Sequence, residues 1–180
     1  MAFDVPNNRF IIGGYDGAGS APMLHFYDAT SYALVTSVTT NLPTGDEVNT
    51  MSVNAAGSHV VISNLATSIT TYTLSVYRLS DNSLISTFNH NTDKIRWAIY
   101  DNYQNYFCTT SRDYSIRCYT YNSGTNIYIN SKTWTAPNYP YCMNFGISNT
   151  ILITIGSSLY FYDMAAITAF PPVYKILADT

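Results

Sequence analysis

Four tetrapeptides of one pattern recur along the chain: Leu24-His25-Phe26-Tyr27, Leu74-Ser75-Val76-Tyr77, Ile116-Arg117-Cys118-Tyr119 and Leu159-Tyr160-Phe161-Tyr162. Their closing tyrosines stand 50, 42 and 43 positions apart. Short strands repeated at roughly 40 to 50 residues predict the blades of a β-propeller, four antiparallel strands to a blade. The expected fold class is therefore all-β, about four such blades, forming half or a segment of a larger propeller.

Laid on this period, residues 1–180 form one unit with blades at 2–40, 47–89, 93–134 and 139–177. In the first blade, strands are expected at Arg9 to Gly13, Met23 to Tyr27 and Leu34 to Thr39. The turns between first and second strands align as Pro6-Asn7-Asn8, Ala55-Ala56-Gly57, Asn102-Tyr103-Gln104 and Ile147-Ser148-Asn149, and Pro, Asn and Gly suit such positions by fixed or positive φ. The tract from Ile12 to Gly19 is glycine-rich but lacks the strand-to-helix setting of a phosphate loop, and reads as a flexible connection.

Composition narrows the functional classes. Hydrophobic residues make 47% of the chain and aromatic residues 15%, enough for a sizeable core of pleated, half-buried surfaces. A net charge of -3 on 11% charged residues leaves no basic stripe to track a phosphate backbone, so nucleic acid is not an expected partner. No apolar run reaches the roughly 18 residues of a membrane-spanning helix, so no membrane insertion is expected. None of the 17 asparagines begins an Asn-x-Ser/Thr sequon. That favours a cytoplasmic location over the extracellular alternative.

Cys108, Cys118 and Cys142 are odd in number, lack metal-ligand spacing and are expected to be free thiols. A turn at Ser111 to Tyr114 pairs Thr110 with Ser115 and Phe107 with Cys118, which sends Cys108 and Cys118 to opposite faces and forbids a bridge between them.

The third blade carries two further motifs. Asn89-His90-Asn91-Thr92-Asp93-Lys94-Ile95-Arg96-Trp97 resembles the Gly-His segment that opens a WD-repeat, with Asn for Gly. Thr110-Ser111-Arg112-Asp113-Tyr114-Ser115-Ile116-Arg117-Cys118-Tyr119 is similar to the family's Ser-x-Asp-x-Thr-Ile-x-φ-Trp-Asp stretch, with Tyr119 for Trp and Thr120 for Asp. Tyr27-Asp28 and Tyr162-Asp163 resemble the WD dipeptide with Tyr for Trp, and the second blade has Tyr77-Arg78 instead. The resemblance implies a structural network of His90, Asp113 and Tyr119 tying the loop before the blade to its central turn. A catalytic His90 would need a nucleophile, and Ser111 in the turn is the local candidate, without evident oxyanion donors. His25 and His59 read as strand-face residues.

Asp46, Glu47 and Asp93 fall in loops expected on one rim, and could pair as hydrolase carboxylates, but acids in solvated loops are ordinarily turn formers. Arg112, Tyr114, Tyr139 and Tyr141 join them on that rim, and Tyr and Arg suit protein contacts. No catalytic residue, metal ligand or cofactor is assigned, and the chain is not read as an enzyme. An arc of four blades leaves two apolar end faces, so other proteins or a second copy should cover them and the isolated chain should not be a stable monomer. The expected function is a non-catalytic protein-protein interaction scaffold within a larger assembly. A carbohydrate-binding surface or secreted propeller is the alternative, with a propeller hydrolase behind it.

Overall fold

The structure is a computed structural model and describes residues 1–15, 21–65, 72–101, 106–146 and 150–163, together with the backbone of 174–177; the side chain of His90 falls outside this set. So do the turn at Asn102-Tyr103-Gln104, most of the turn after Phe145, and the tract from Asp16 to Ser20 within the glycine-rich connection.

Among the described residues, strands form four antiparallel four-stranded sheets in chain order. The first holds β1 (Ala2–Asp4), β2 (Arg9–Tyr15), β3 (Pro22–Asp28) and β4 (Leu34–Thr39), and the second β5 (Glu47–Val53), β6 (His59–Leu65), β7 (Tyr72–Arg78) and β8 (Leu84–Asn91). The third holds β9 (Ile95–Tyr100), β10 (Tyr106–Ser111), β11 (Ser115–Asn122) and β12 (Ile127–Thr135), and the fourth β13 (Pro140–Phe145), β14 (Thr150–Ile155), β15 (Ser158–Asp163) and β16 (Tyr174–Leu177). Helix among the described residues is a single 3-10 turn, Val5–Asn7.

Each sheet is apolar on both faces, and the faces follow one rule. A row made of the recurring tyrosine and its cross-strand neighbours turns toward the preceding sheet: Val53, Val60 and Tyr77 in the second sheet, Tyr100, Phe107 and Tyr119 in the third, Phe145, Ile151 and Tyr162 in the fourth. The residues one step along the strands turn toward the following sheet: Ile11 opposite Phe26, Val61 opposite Val76, Cys108 opposite Cys118. This is the period-two alternation of a strand buried on both sides.

Three apolar clusters result, one at each junction. Ile11, Leu24 and Phe26 meet Val60, Ile62 and Tyr77; Val61, Leu74 and Val76 meet Tyr100, Phe107 and Tyr119; Cys108, Ile116 and Cys118 meet Ile151, Ile153 and Tyr162. Phe107 and Tyr119 stack at 4.7 Å and are fully buried, which pushes the Tyr119 hydroxyl up, burial being the main cause.

Polar side chains complete the junction between the second and third sheets. β9 is an edge strand, and its outward backbone groups are met by β5: Thr50 Oγ1 accepts from Ala98 N at 3.2 Å, Ser52 Oγ accepts from Tyr100 N at 3.1 Å, and Asn49 Nδ2 donates to Ile95 O at 2.5 Å. On the far edge, Ser86 Oγ of β8 accepts from Tyr128 N of β12 at 2.9 Å. Unpaired strand edges invite foreign strands, and here short side chains occupy them.

The hairpin from β10 to β11 corrects the expected register. Thr110 faces Ile116, Cys108 faces Cys118 and Phe107 faces Tyr119, one residue away from the predicted pairing. Cys108 and Cys118 are joined by a disulfide, so these two are not free thiols; Cys142 is free and exposed. The difference lies in the turn, where Tyr114 adopts φ 67 without being glycine and its N donates to Ser111 O at 3.2 Å. A one-residue slip exchanges the two faces of a strand.

Candidate functional site

The loops preceding β9, joining β10 to β11 and preceding β13 are welded by backbone bonds. Arg112 N donates to Lys94 O at 2.8 Å, Ala136 N to Tyr114 O at 2.7 Å, and Gly156 N of the β14–β15 turn to Tyr139 O at 3.2 Å. This frame brings together four of the residues singled out in the sequence. The rings of Tyr114 and Tyr139 stack at 4.6 Å and 20°. The Arg112 guanidinium lies 5.7 Å from the Tyr139 ring centre, within cation-π range, and its Nε is 3.8 Å from Asp93 Oδ2. Tyr114 remains 38% exposed, and its hydroxyl is pushed up first by its hydrogen bond with Tyr139 and then by desolvation.

Beneath this surface Asp113 holds the turn. Its carboxylate accepts from Thr92 N at 3.0 Å, from Ser115 N at 2.9 Å, from Ser115 Oγ, and from Arg117 Nη1 at 3.3 Å. Burial acts to raise the Asp113 carboxyl, but the bonds from Ser115 and Thr92 and the Arg117 charge outweigh it and hold the group below the usual carboxylate range. Asp113 thus ties the loop before β9 to the β10–β11 turn, and Arg117, which also donates to Asn91 Oδ1, is the partner that sequence reasoning missed. Its signal was its place four residues after Asp113. Tyr119 lies in the core between the second and third sheets, and the His90 side chain falls outside the described residues.

Ser111 is occupied as well. Its hydroxyl donates to Asp93 O at 3.0 Å and accepts from Asp113 N at 3.2 Å, the pattern of a turn-stabilising serine.

The remaining rim candidates separate from this cluster. Asp46 is corrected: it is 1% exposed, its carboxylate accepts from Asn64 Nδ2 at 2.5 Å, and Asn64 Oδ1 in turn accepts from Thr73 N, so it braces a loop and is not available to a partner. Glu47 is exposed and close to Tyr15, whose hydroxyl is raised by desolvation first and then by Glu47. Tyr141 stands on β13, 49% exposed. A cleft of about 260 Å³ opens among β5, β9 and Met1, bordered by Asn49, Met51, Trp97 and Ile99, with no His, Cys or carboxylate in its lining.

No family model matches the chain, and no curated protein matches it. Two stacked phenols, a guanidinium and a carboxylate held on a rigid loop frame present aromatic area at little conformational cost together with one charge of each sign. Among the described residues, no group of three His, Cys, Asp or Glu side chains could hold a metal ion, and no helix is long and apolar enough to cross a membrane.

Proposed function

We propose that the chain is a WD-repeat-like β-propeller segment that acts as a non-catalytic protein-protein interaction scaffold, with the Asp93, Arg112, Tyr114 and Tyr139 cluster as its partner-binding surface. The observation that carries this reading is the exposed cation-aromatic stack held by three welded loops, because Tyr and Arg on a rigid frame are the side chains that dominate protein contacts. The array of four equivalent sheets supports the propeller assignment. A sugar-stacking platform is the weaker reading, since Tyr139 already carries Tyr114 and Arg112 over its ring.

The compartment belongs to the same proposal. The absence of sequons favours the cytoplasm, whereas the Cys108–Cys118 bond fits an oxidising compartment, and we place more weight on the bond.

Peptide-display selection against the whole chain tests the scaffold reading, with Arg112→Ala and Tyr139→Ala as counter-selections. Peptides that bind the parent and lose binding at least tenfold on both variants are expected. Failure to enrich any such peptide, with glycan-array binding that disappears in a Tyr114→Ala, Tyr139→Ala double variant, would replace it with the carbohydrate reading.

A further inference from the structure

The first sheet carries the same tyrosine row as the others, formed by Phe3, Phe10, Tyr27 and Leu34 in cross-strand register. In the second sheet the equivalent residues Val60 and Tyr77 are 0% and 4% exposed because the first sheet covers them. In the first sheet Phe3 is 60% exposed where its equivalent Val53 is half-buried, and Phe10 and Tyr27 are half-buried and stacked on each other at 5.2 Å; Leu34, like its equivalent Leu84, lies at the exposed rim of the row. This face is built for a preceding sheet.

The fourth sheet carries the matching surface. Leu152 opposite Phe161, with Leu159, occupies the positions of Ile11, Phe26 and Leu24 in the first sheet and of Val61, Val76 and Leu74 in the second. In those sheets the three residues are buried against the next sheet, whereas Leu152, Leu159 and Phe161 are half-buried. The named residues of both end faces are apolar, with Asp163 standing at the end of the fourth sheet's row, two positions beyond Phe161.

Resting on the propeller reading above, we infer that the Phe3-Phe10-Tyr27-Leu34 face docks the Leu152-Leu159-Phe161 face of a second copy of this chain, head to tail, two copies closing one eight-sheet ring. The occupant is identified by continuity: three junctions inside the chain already join one kind of face to the other, and the fourth kind of junction repeats them. A heterologous contact of this sort closes into a ring when its rotation allows, and eight blades lie within the propeller range.

Sedimentation of the whole chain at micromolar concentration tests this, with Phe3→Asp and Leu152→Asp as variants. Their equivalents Val53 and Ile11 pack at the junction of the first two sheets, so both changes strike one predicted contact. The parent should sediment as two chains and each variant as one. An equal mixture of the two variants should recover the two-chain particle, because one of its two junctions is then wild type on both sides. A monomeric parent, a ladder of larger species, or a mixture that stays monomeric would overturn the inference. Should either variant lose its β-sheet circular dichroism, Phe3→Cys and Leu152→Cys preparations in a Cys142→Ser background replace them: a disulfide between unlike chains is expected, and none would overturn it. The scaffold reading fails separately, in the peptide selection.

Discussion

Cys108 and Cys118 are direct cross-strand partners, their Cα atoms 4.1 Å apart, and their disulfide fills the slot at the third junction that Ile11–Phe26 and Val61–Val76 fill at the first and second. The bond is therefore a core element as well as a crosslink. Both sulfur-bearing residues are buried and sit among Ile116, Ile151 and Ile153.

Reduction should lower stability by about 3 kcal/mol, the loop-closure contribution of a short loop. A Cys108→Val, Cys118→Val double variant should unfold at a lower denaturant concentration than the oxidised parent but at or above that of the reduced one, since a Val–Val pair already fills this slot in the second sheet. Non-reducing mass mapping that finds both thiols free in air-oxidised protein would refute the register.

Asp113→Ala should cost about 1 to 3 kcal/mol, because Ser115 N and Arg117 lose an acceptor in a part-buried place and the exposed Thr92 N loses its tie to the turn. The sign with pH follows from the lowered carboxyl. Its stabilising share is complete above about pH 4, the unfolded value, and is lost as pH falls toward the lower folded value. Denaturant midpoints between pH 6 and pH 3 check it; an unchanged midpoint in the variant removes Asp113 from the network.

Thr50→Val and Ser52→Ala remove the acceptors for Ala98 N and Tyr100 N while barely changing shape. Each should destabilise by about 1 to 3 kcal/mol, the penalty of leaving a shielded donor unmet. Amide exchange offers a local readout, in which Ala98 should speed up in the first variant and Tyr100 in the second. Equal protection in parent and variants would show that β9 does not depend on β5 for its edge.

His59 is buried, its Nδ1 is 3.1 Å from the Tyr128 hydroxyl, and desolvation, with Arg78 adding to it, lowers its pKa. A folded value below the unfolded one near 6.5 means that the unfolded chain takes up the proton first, so stability falls as pH drops below about 6.5. His59→Gln should flatten that part of the profile. An imidazole titrating in the folded protein at or above 6.5 by NMR would contradict the assignment.

The strands, their pairing into successive hairpins and the alternation of faces were legible in the chain, because each depends on neighbours a few residues apart: Leu24 and Phe26 recur as Leu74 and Val76, all four buried. Arg112, Tyr114 and Tyr139 could be named from their loops, yet the stack they form could not, since Tyr114 and Tyr139 come from connections of different sheets. Asp46 reads as a rim acid from its loop, yet it is 1% exposed and accepts a hydrogen bond from Asn64, 18 positions on. The Cys108–Cys118 pairing turned on a single residue of register, set by a turn whose non-glycine residue Tyr114 stands at positive φ, against its ordinary local preference. Local alternation determines which residues can share a face; which faces meet, and in what register, is decided only when distant strands pack and the burial of one arrangement excludes the others.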